Sequence, residues 1–544
     1  MPEEARQATA RPGDALGSLR ARRRSRRLAG IAWLDAFYQA YVTALLSGLA
    51  VLLVSGWIGD RHVGPTGVEE LMQDGPAALG LVTALVLAVG LRSGSRGGPV
   101  ALEAADVQHV LLAPVPRRTA LWNPMLHQLR FLVFVAAAAG LVGGQLAARR
   151  LPGNPVAWVA VTVAWAVLVV GGGVGAAWLA AGHRLRPSLA TLTGAVLVTW
   201  SVADLADMAP GAPTTFVGAL ALWPVRFDPA ALVGVAGLLV VATLGLLSYS
   251  RLSVELAQRR SLLVGQIRFA ATMRDLRTVM VLRRQLAQEG PRHRPWFGTL
   301  RRGPARTHVL HRDWRAAART PAARLIRLAG LGVVAGLAAR GVWAGTTPLI
   351  VVAGLAAYLA GLDAIEPLAA EIDNPHVLEL APVEAGSVLA RHLVVPALTM
   401  LGVGVVGFVA AVAPEPSTQG LAVTGITAVT AALAATAGAA ISIVRSGSPD
   451  DAELSMVVPP EVTGMRTIVQ LVLPPAVATI GFAPVLGAAK AMDRGVDPLR
   501  GASSMLVPAL VAAAAVAAWV RWREPLHEWW RTSMEQAGAR GGRP

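Results

Sequence analysis

The sequence contains no cysteine and a single lysine, Lys490. Without cysteine there is no disulfide, iron–sulfur cluster, thiolate zinc site or cysteine nucleophile. The scarcity of lysine excludes more. A standard P-loop needs Gly-Lys-Ser/Thr to cradle phosphates, and Lys490 stands between Ala489 and Ala491. The chain therefore lacks a Walker A and cannot hydrolyse ATP by that route. Charge is scarce too: 15% of the 544 residues are charged, against about 25% in soluble domains. Hydrophobic residues make up 54%, and the mean hydropathy is +0.53. This composition argues against a single soluble globule.

The charge that is present is lopsided. Of 49 basic residues 48 are arginine, and the net charge is +16. With so much Ala, Gly and Val, the skew reads as a GC-rich, bacterial coding sequence. A basic balance of this size fits nucleic acid or a membrane surface. Long apolar runs decide for the membrane, and no recognition module points to nucleic acid.

A spanning helix takes about 20 mostly apolar residues. Candidates fall at 32–57, 76–92, 128–148, 155–181, 187–206 and 229–249. A polar stretch follows, then 325–345, 347–364, 392–412, 419–444, 467–488 and 502–521. Arginine content tests this count of twelve, because basic residues concentrate in cytoplasmic loops. Arg20–Arg27, Arg92, Arg117, Arg118, Arg184, Arg186, Arg521 and Arg523 all fall on one side when both termini are inside; Arg149 and Arg150 are the main exception. The N-terminal arginines precede a long apolar segment, as a basic anchor does and a cleavable signal does not. The expected organisation is a basic cytoplasmic N-terminus (1–30), a first six-helix half (31–249), a basic linker (250–324), a second six-helix half (325–521) and a cytoplasmic tail (522–544). The expected location is the plasma membrane.

Between Arg251 and Arg327 there are 18 arginines and 4 acidic residues, a net of +14. Phe269, Met273, Leu276 and Met280 share one helical face there, predicting an amphipathic helix able to lie on anionic lipid. A solvated linker without a specific partner is the alternative.

A cytoplasmic element is repeated. After the second span comes Glu103-Ala-Ala-Asp106-Val-Gln-His109-Val-Leu-Leu112-Ala-Pro114-Val-Pro116-Arg117-Arg118. After the eighth comes Glu371-Ile-Asp373-Asn-Pro-His376-Val-Leu-Glu379-Leu-Ala-Pro382-Val-Glu384. Both give an acidic lead-in, His-Val-Leu, then Leu-Ala-Pro-Val. The preceding spans correspond as well, Gly75-Pro76 with Thr347-Pro348 and Gly90-Leu91 with Gly361-Leu362. The separation is about half the chain, as duplication of a six-span unit requires. Six spans between the copies put both on one membrane face, making the repeat parallel rather than inverted. Each copy is a short apolar segment closed by a proline turn, suited to a partner's groove or to resting on the protein's own helices.

Buried chemistry is sparse. Asp35, Arg130, Asp204 and Asp363 lie toward span ends, so no proton relay is visible, although ion-coupled carriers place such groups near the bilayer centre. No cofactor or metal site is indicated. His308 and His311 are spaced i, i+3, but in an arginine-rich loop solvation is expected. Asp204 and Asp207 receive no role.

Leu112-Ala-Pro-Val-Pro-Arg-Arg118, with acidic residues upstream, resembles the coupling region of ABC-2-type exporter permeases. His308-Val-Leu-His-Arg-Asp-Trp-Arg315, with Arg319-Thr-Pro-Ala-Ala-Arg324, resembles the basic amphipathic helix that precedes the family's first span. Leu222-Trp-Pro-Val-Arg226 is a looser match to its extracellular proline-containing segment. The sequence departs from the pattern where Gln108 and His376 occupy the place of the usual glutamate, and where Glu384 replaces the arginine ending. The resemblance implies a permease driven by a separate cytosolic P-loop ATPase pressing on these loops, and the repeat, with both halves in one chain, leads to the expectation of two ATPase subunits per chain. The expectation is thus an all-α polytopic membrane protein of about twelve helices in two tandem halves, moving an unidentified substrate among membrane lipids. A twelve-span secondary transporter and a non-transporting scaffold or membrane enzyme are the rivals.

Overall fold

The computed structural model describes residues 63–98, 116–251, 266, 292–298, 308–374, 384–445 and 472–523, with 525, 526, 528, 529 and 532. The predicted first span and the Phe269–Met280 face lie outside them. Among the described residues the structure is helical and contains no strand. Among the described residues nine helices are long and apolar enough to cross a membrane, or eleven if each of two bent pairs is one span. The chain is a polytopic α-helical membrane protein. It divides into two compact units.

The first unit contains α1 (Pro65–Ser95), α2 (Arg117–Arg150), α3 (Pro155–Gly182), α4 (Pro187–Leu205), the short α5 (Pro213–Leu220) and α6 (Ala231–Ser248). Prolines open α1, α3, α4 and α5. The fixed φ of proline suits a first turn, where its missing N–H costs no helical bond. Asn154 adds a cap to α3, its side chain accepting from the Val156 N–H at 2.9 Å. α3 is the hub, packed on α1, α2 and α6. Close approach there depends on small residues: a Cβ on Gly90 of α1 would collide with the carbonyl of Gly173 in α3.

The second unit begins with α7 (His308–Ala318). The spans follow as α8 (Ala322–Trp343), α9 (Leu349–Ala364), α10 (Glu366–Ile372), α11 (Ala385–Arg391), α12 (Val394–Val412), α13 (Thr418–Arg445), α14 (Val472–Ile480), α15 (Ala483–Asp493) and α16 (Pro498–Arg521). Together α11 and α12 form one candidate span, Ala385–Val412. Here α13 is the hub, packed on α9, α12 and α16. A Cβ on Gly361 of α9 would sit 2.6 Å from the carbonyl of Ala435 in α13. Gly361 is the residue that the repeat aligns with Gly90.

Over the described residues, every predicted span from the second to the twelfth falls on helix (467–488 from Val472 onward), including 325–345, which Arg340 interrupts in sequence. That guanidinium reaches Glu415 at 2.8 Å and the Ala411 carbonyl at 3.2 Å. Two spans are not straight: α9–α10 and α14–α15 each bend by 56°. Pro367 and Pro484 stand just inside the second segment of each pair. Proline lacks the N–H that would continue the helical ladder, and it disfavours helical geometry in the residue before it.

Candidate functional site

Polar side chains gather at one end of the second unit, where α7, α8, α10 and the start of α12 meet. The helix α7 is amphipathic: His311, Asp313 and Ala318 are buried, whereas His308, Arg312 and Arg315 are exposed. His311 therefore departs from the expected solvation, because α7 lies against the spans instead of lying free in a loop. Residues 292–298 close its last turn. The N–H of Arg292 donates to Arg319 O at 2.9 Å and that of Trp296 to Ala318 O at 2.8 Å, supplying donors that a helix end otherwise lacks.

The centre is His392, between α11 and α12 and fully buried. Its Nδ1 lies 2.6 Å from Asp313 Oδ2, and Asp313 is only 2% exposed. A carboxylate can only accept, so Nδ1 carries the hydrogen. Nε2 then accepts from an Arg312 guanidinium nitrogen at 3.2 Å, with Glu371 at 3.6 Å. Arg312 also donates to Glu371, which is buried. A second group lies alongside, in which Arg327 pairs with buried Asp363 and Arg324 with Glu366 and the Asp363 carbonyl. Charges taken out of water need partners of this kind, since desolvation costs several kcal/mol for each ion, on the order of what pairing returns. Among the described residues no three His, Asp or Glu groups converge as for a metal ion. The arrangement fastens the amphipathic α7 to two spans, through Glu371 and His392, and fastens α8 to α9–α10 beside it.

The residues predicted for partner coupling distribute unevenly. Glu103, Asp106, His109, Leu112, Pro114, His376, Glu379 and Pro382 lie outside the described residues. Pro116 is the N-cap of α2, and Arg117 and Arg118 open that helix, both exposed. The Tyr249 hydroxyl donates to the Arg118 carbonyl at 3.2 Å, tying the start of α2 to the end of the sixth predicted span. Glu371 ends α10 inside the charged junction, and Asp373 is the cap after it. Glu384 caps α11 and meets Arg521 at 2.6 Å, with an exposed side chain. Of those that are described, Glu371 alone enters the junction.

Sequence reasoning missed Arg312, Asp313, His392, Arg324, Arg327 and Glu366 as a group. A signal existed in Arg324 and Arg327, one turn apart at the start of a span, and in Asp363 and Glu366 at the end of the next. Compared with protein families, curated proteins and solved structures, the chain matches none of them.

Proposed function

We propose that this protein is the transmembrane permease of an ABC exporter, moving an unidentified substrate with energy from separate cytosolic ATPase subunits. The observation that carries the reading is the position of Glu371. The first acidic residue of the second repeated loop is buried and bonded to Arg312 of α7. A push on that loop would pass directly to the amphipathic helix and, through His392, to α12. A loop that merely connected two spans would not need such a fastening.

The internal duplication also supports the reading. In each unit the fourth predicted span (α3 or α13) is the hub for the second, third and sixth. Gly90 and Gly361, matched by the repeat, make the same approach to that hub. The helix after each repeated loop starts at the same point of the motif, Arg117 in one copy and Ala385 in the other. Two six-helix halves in one chain would form a complete pathway, each half with its own ATPase. The missing Walker A makes the partner obligatory in this scheme.

The test is charge reversal at the first loop. Arg117→Glu with Arg118→Glu should lower ATPase association about tenfold, roughly the loss of two exposed charge contacts. Leu112→Asp should act likewise, and helix content should be unchanged for both. Unchanged association in both variants would remove this loop from the contact.

A further inference from the structure

The strap of residues 292–298 holds two aromatic side chains out from α7 in a fixed position. Besides its two backbone bonds to the end of α7, the Trp296 indole N–H donates to Thr320 O at 2.7 Å, and that of Trp314 to Gly298 O at 3.4 Å. The Arg292 guanidinium lies 3.6 Å over the Trp296 ring, a cation–π contact. Phe297 meets Trp314 with ring centres 5.1 Å apart. Held this way, Trp296 is still 47% exposed and Phe297 44% exposed. Their surroundings are basic. Arg294, Arg315 and Arg319 are exposed, and none of the three pairs with an acidic side chain among the described residues. The one acid in α7 and the strap is Asp313, which is buried against His392, so the outward face carries positive charge alone.

Adjacent aromatic rings held out rigidly form an apolar patch that calls for a covering surface. The spans show which one. Phe297 and Trp314 line the same cavity, of about 600 Å3, as Leu325, Leu328 and Leu398. Leu325 belongs to the first turn of a span, and its neighbour Ile326 is 66% exposed. The aromatic pair therefore continues a lipid-facing strip beyond the start of α8. Tryptophan is favoured at that level of a bilayer, where its ring sits among the headgroups. We propose that the strap and the last turn of α7 form an interfacial anchor. Trp296 and Phe297 enter the headgroup boundary of the leaflet beside the start of α8, and Arg294, Arg315 and Arg319 meet the phosphates of acidic phospholipid. The face offers no outward carboxylate to an ammonium, so its complement is a surface of net negative charge. The anchor holds α7 at the membrane whether or not an ATPase drives the protein.

The absence of cysteine allows a single spin label on Gly298→Cys, where an added Cβ meets nothing within 4 Å. The full-length chain is placed in nanodiscs of phosphatidylcholine, with or without phosphatidylglycerol. Collisions of the label with oxygen, which concentrates in lipid, are compared with those of a neutral nickel chelate, which stays in water. The label should favour oxygen, as one on Ile326→Cys should, and phosphatidylglycerol should raise that preference severalfold. Replacing Arg294, Arg315 and Arg319 together by glutamine should abolish the rise. The same replacement should leave a label on Ile326→Cys unchanged, which checks that the spans stay folded. The proposal is overturned if the label at 298 favours nickel, as it would beneath a soluble partner or in open water. It is equally overturned if phosphatidylglycerol makes no difference, or if the glutamine variant responds as the parent does.

Discussion

Asp313 and His392 show how much one buried pair can decide in this protein. Removing Asp313 leaves the buried His392 Nδ1–H without its acceptor, and removing His392 leaves the buried Asp313 carboxylate without that donor, a loss of about 1–3 kcal/mol or more in each case. Asp313→Ala should therefore lower thermal stability in detergent markedly. Asp313→Ala combined with His392→Leu should be less destabilised than the sum of the two single changes, because no orphaned donor or acceptor of the pair remains. Additive losses would show that the two side chains are not coupled. The exposed Arg521–Glu384 pair is the contrast: Arg521→Ala should cost less than about 1 kcal/mol. The sequence offers little to find the Asp313–His392 contact, since 79 residues separate the two. Periodicity marks an amphipathic face on α7, but it cannot say that an aspartate belongs to the buried side.

Among the elements, the short helix α5 is held by a few polar contacts. Asp204, at the end of α4, accepts from the Gly211 N–H at 2.7 Å and from the Thr215 hydroxyl, and Ser201 meets Thr214 at 2.8 Å. Gly211 has φ +91°, a geometry that glycine adopts without strain. Asp204→Ala leaves a part-buried N–H and hydroxyl without their acceptor, a loss of about 1–3 kcal/mol. Thermal unfolding of the variant in detergent checks this, and a shift no larger than that of Asp207→Ala would contradict it. Most elements are legible in sequence because a span is defined by composition over about 20 residues. Bends are less so. Pro367 and Pro484 mark the two broken spans, whereas Pro76, Pro124 and Pro508 sit inside helices that continue through them. Neighbouring helices that re-satisfy freed backbone groups decide the difference, and those neighbours are a property of the tertiary fold.

At the scale of the whole molecule, orientation and partnership matter most. The absence of cysteine makes the wild type a ready background for labelling. The orientation expected from arginine distribution has His308 inside and the loop after α4 outside. Met208→Cys, at a highly exposed position, should react with a membrane-impermeant maleimide on intact cells. His308→Cys should react only after the membrane is opened, and the reverse pattern would invert the topology. The concentration of +14 charge between the predicted halves belongs to this scale too, where the expectation is orientation and contact with a lipid surface.

The proposed dependence of this chain on a separate ATPase is tested most directly by composition. The full-length chain is purified from its own membranes in mild detergent, its companions are identified, and their ratio to the chain is measured. The account predicts a P-loop ATPase at two copies per permease chain, with ATP hydrolysis that is lost when that subunit is removed. A complex with two permease chains would contradict the single-chain pathway. A chain that carries no ATPase, and whose transport follows a proton gradient and ignores ATP, would contradict the exporter itself.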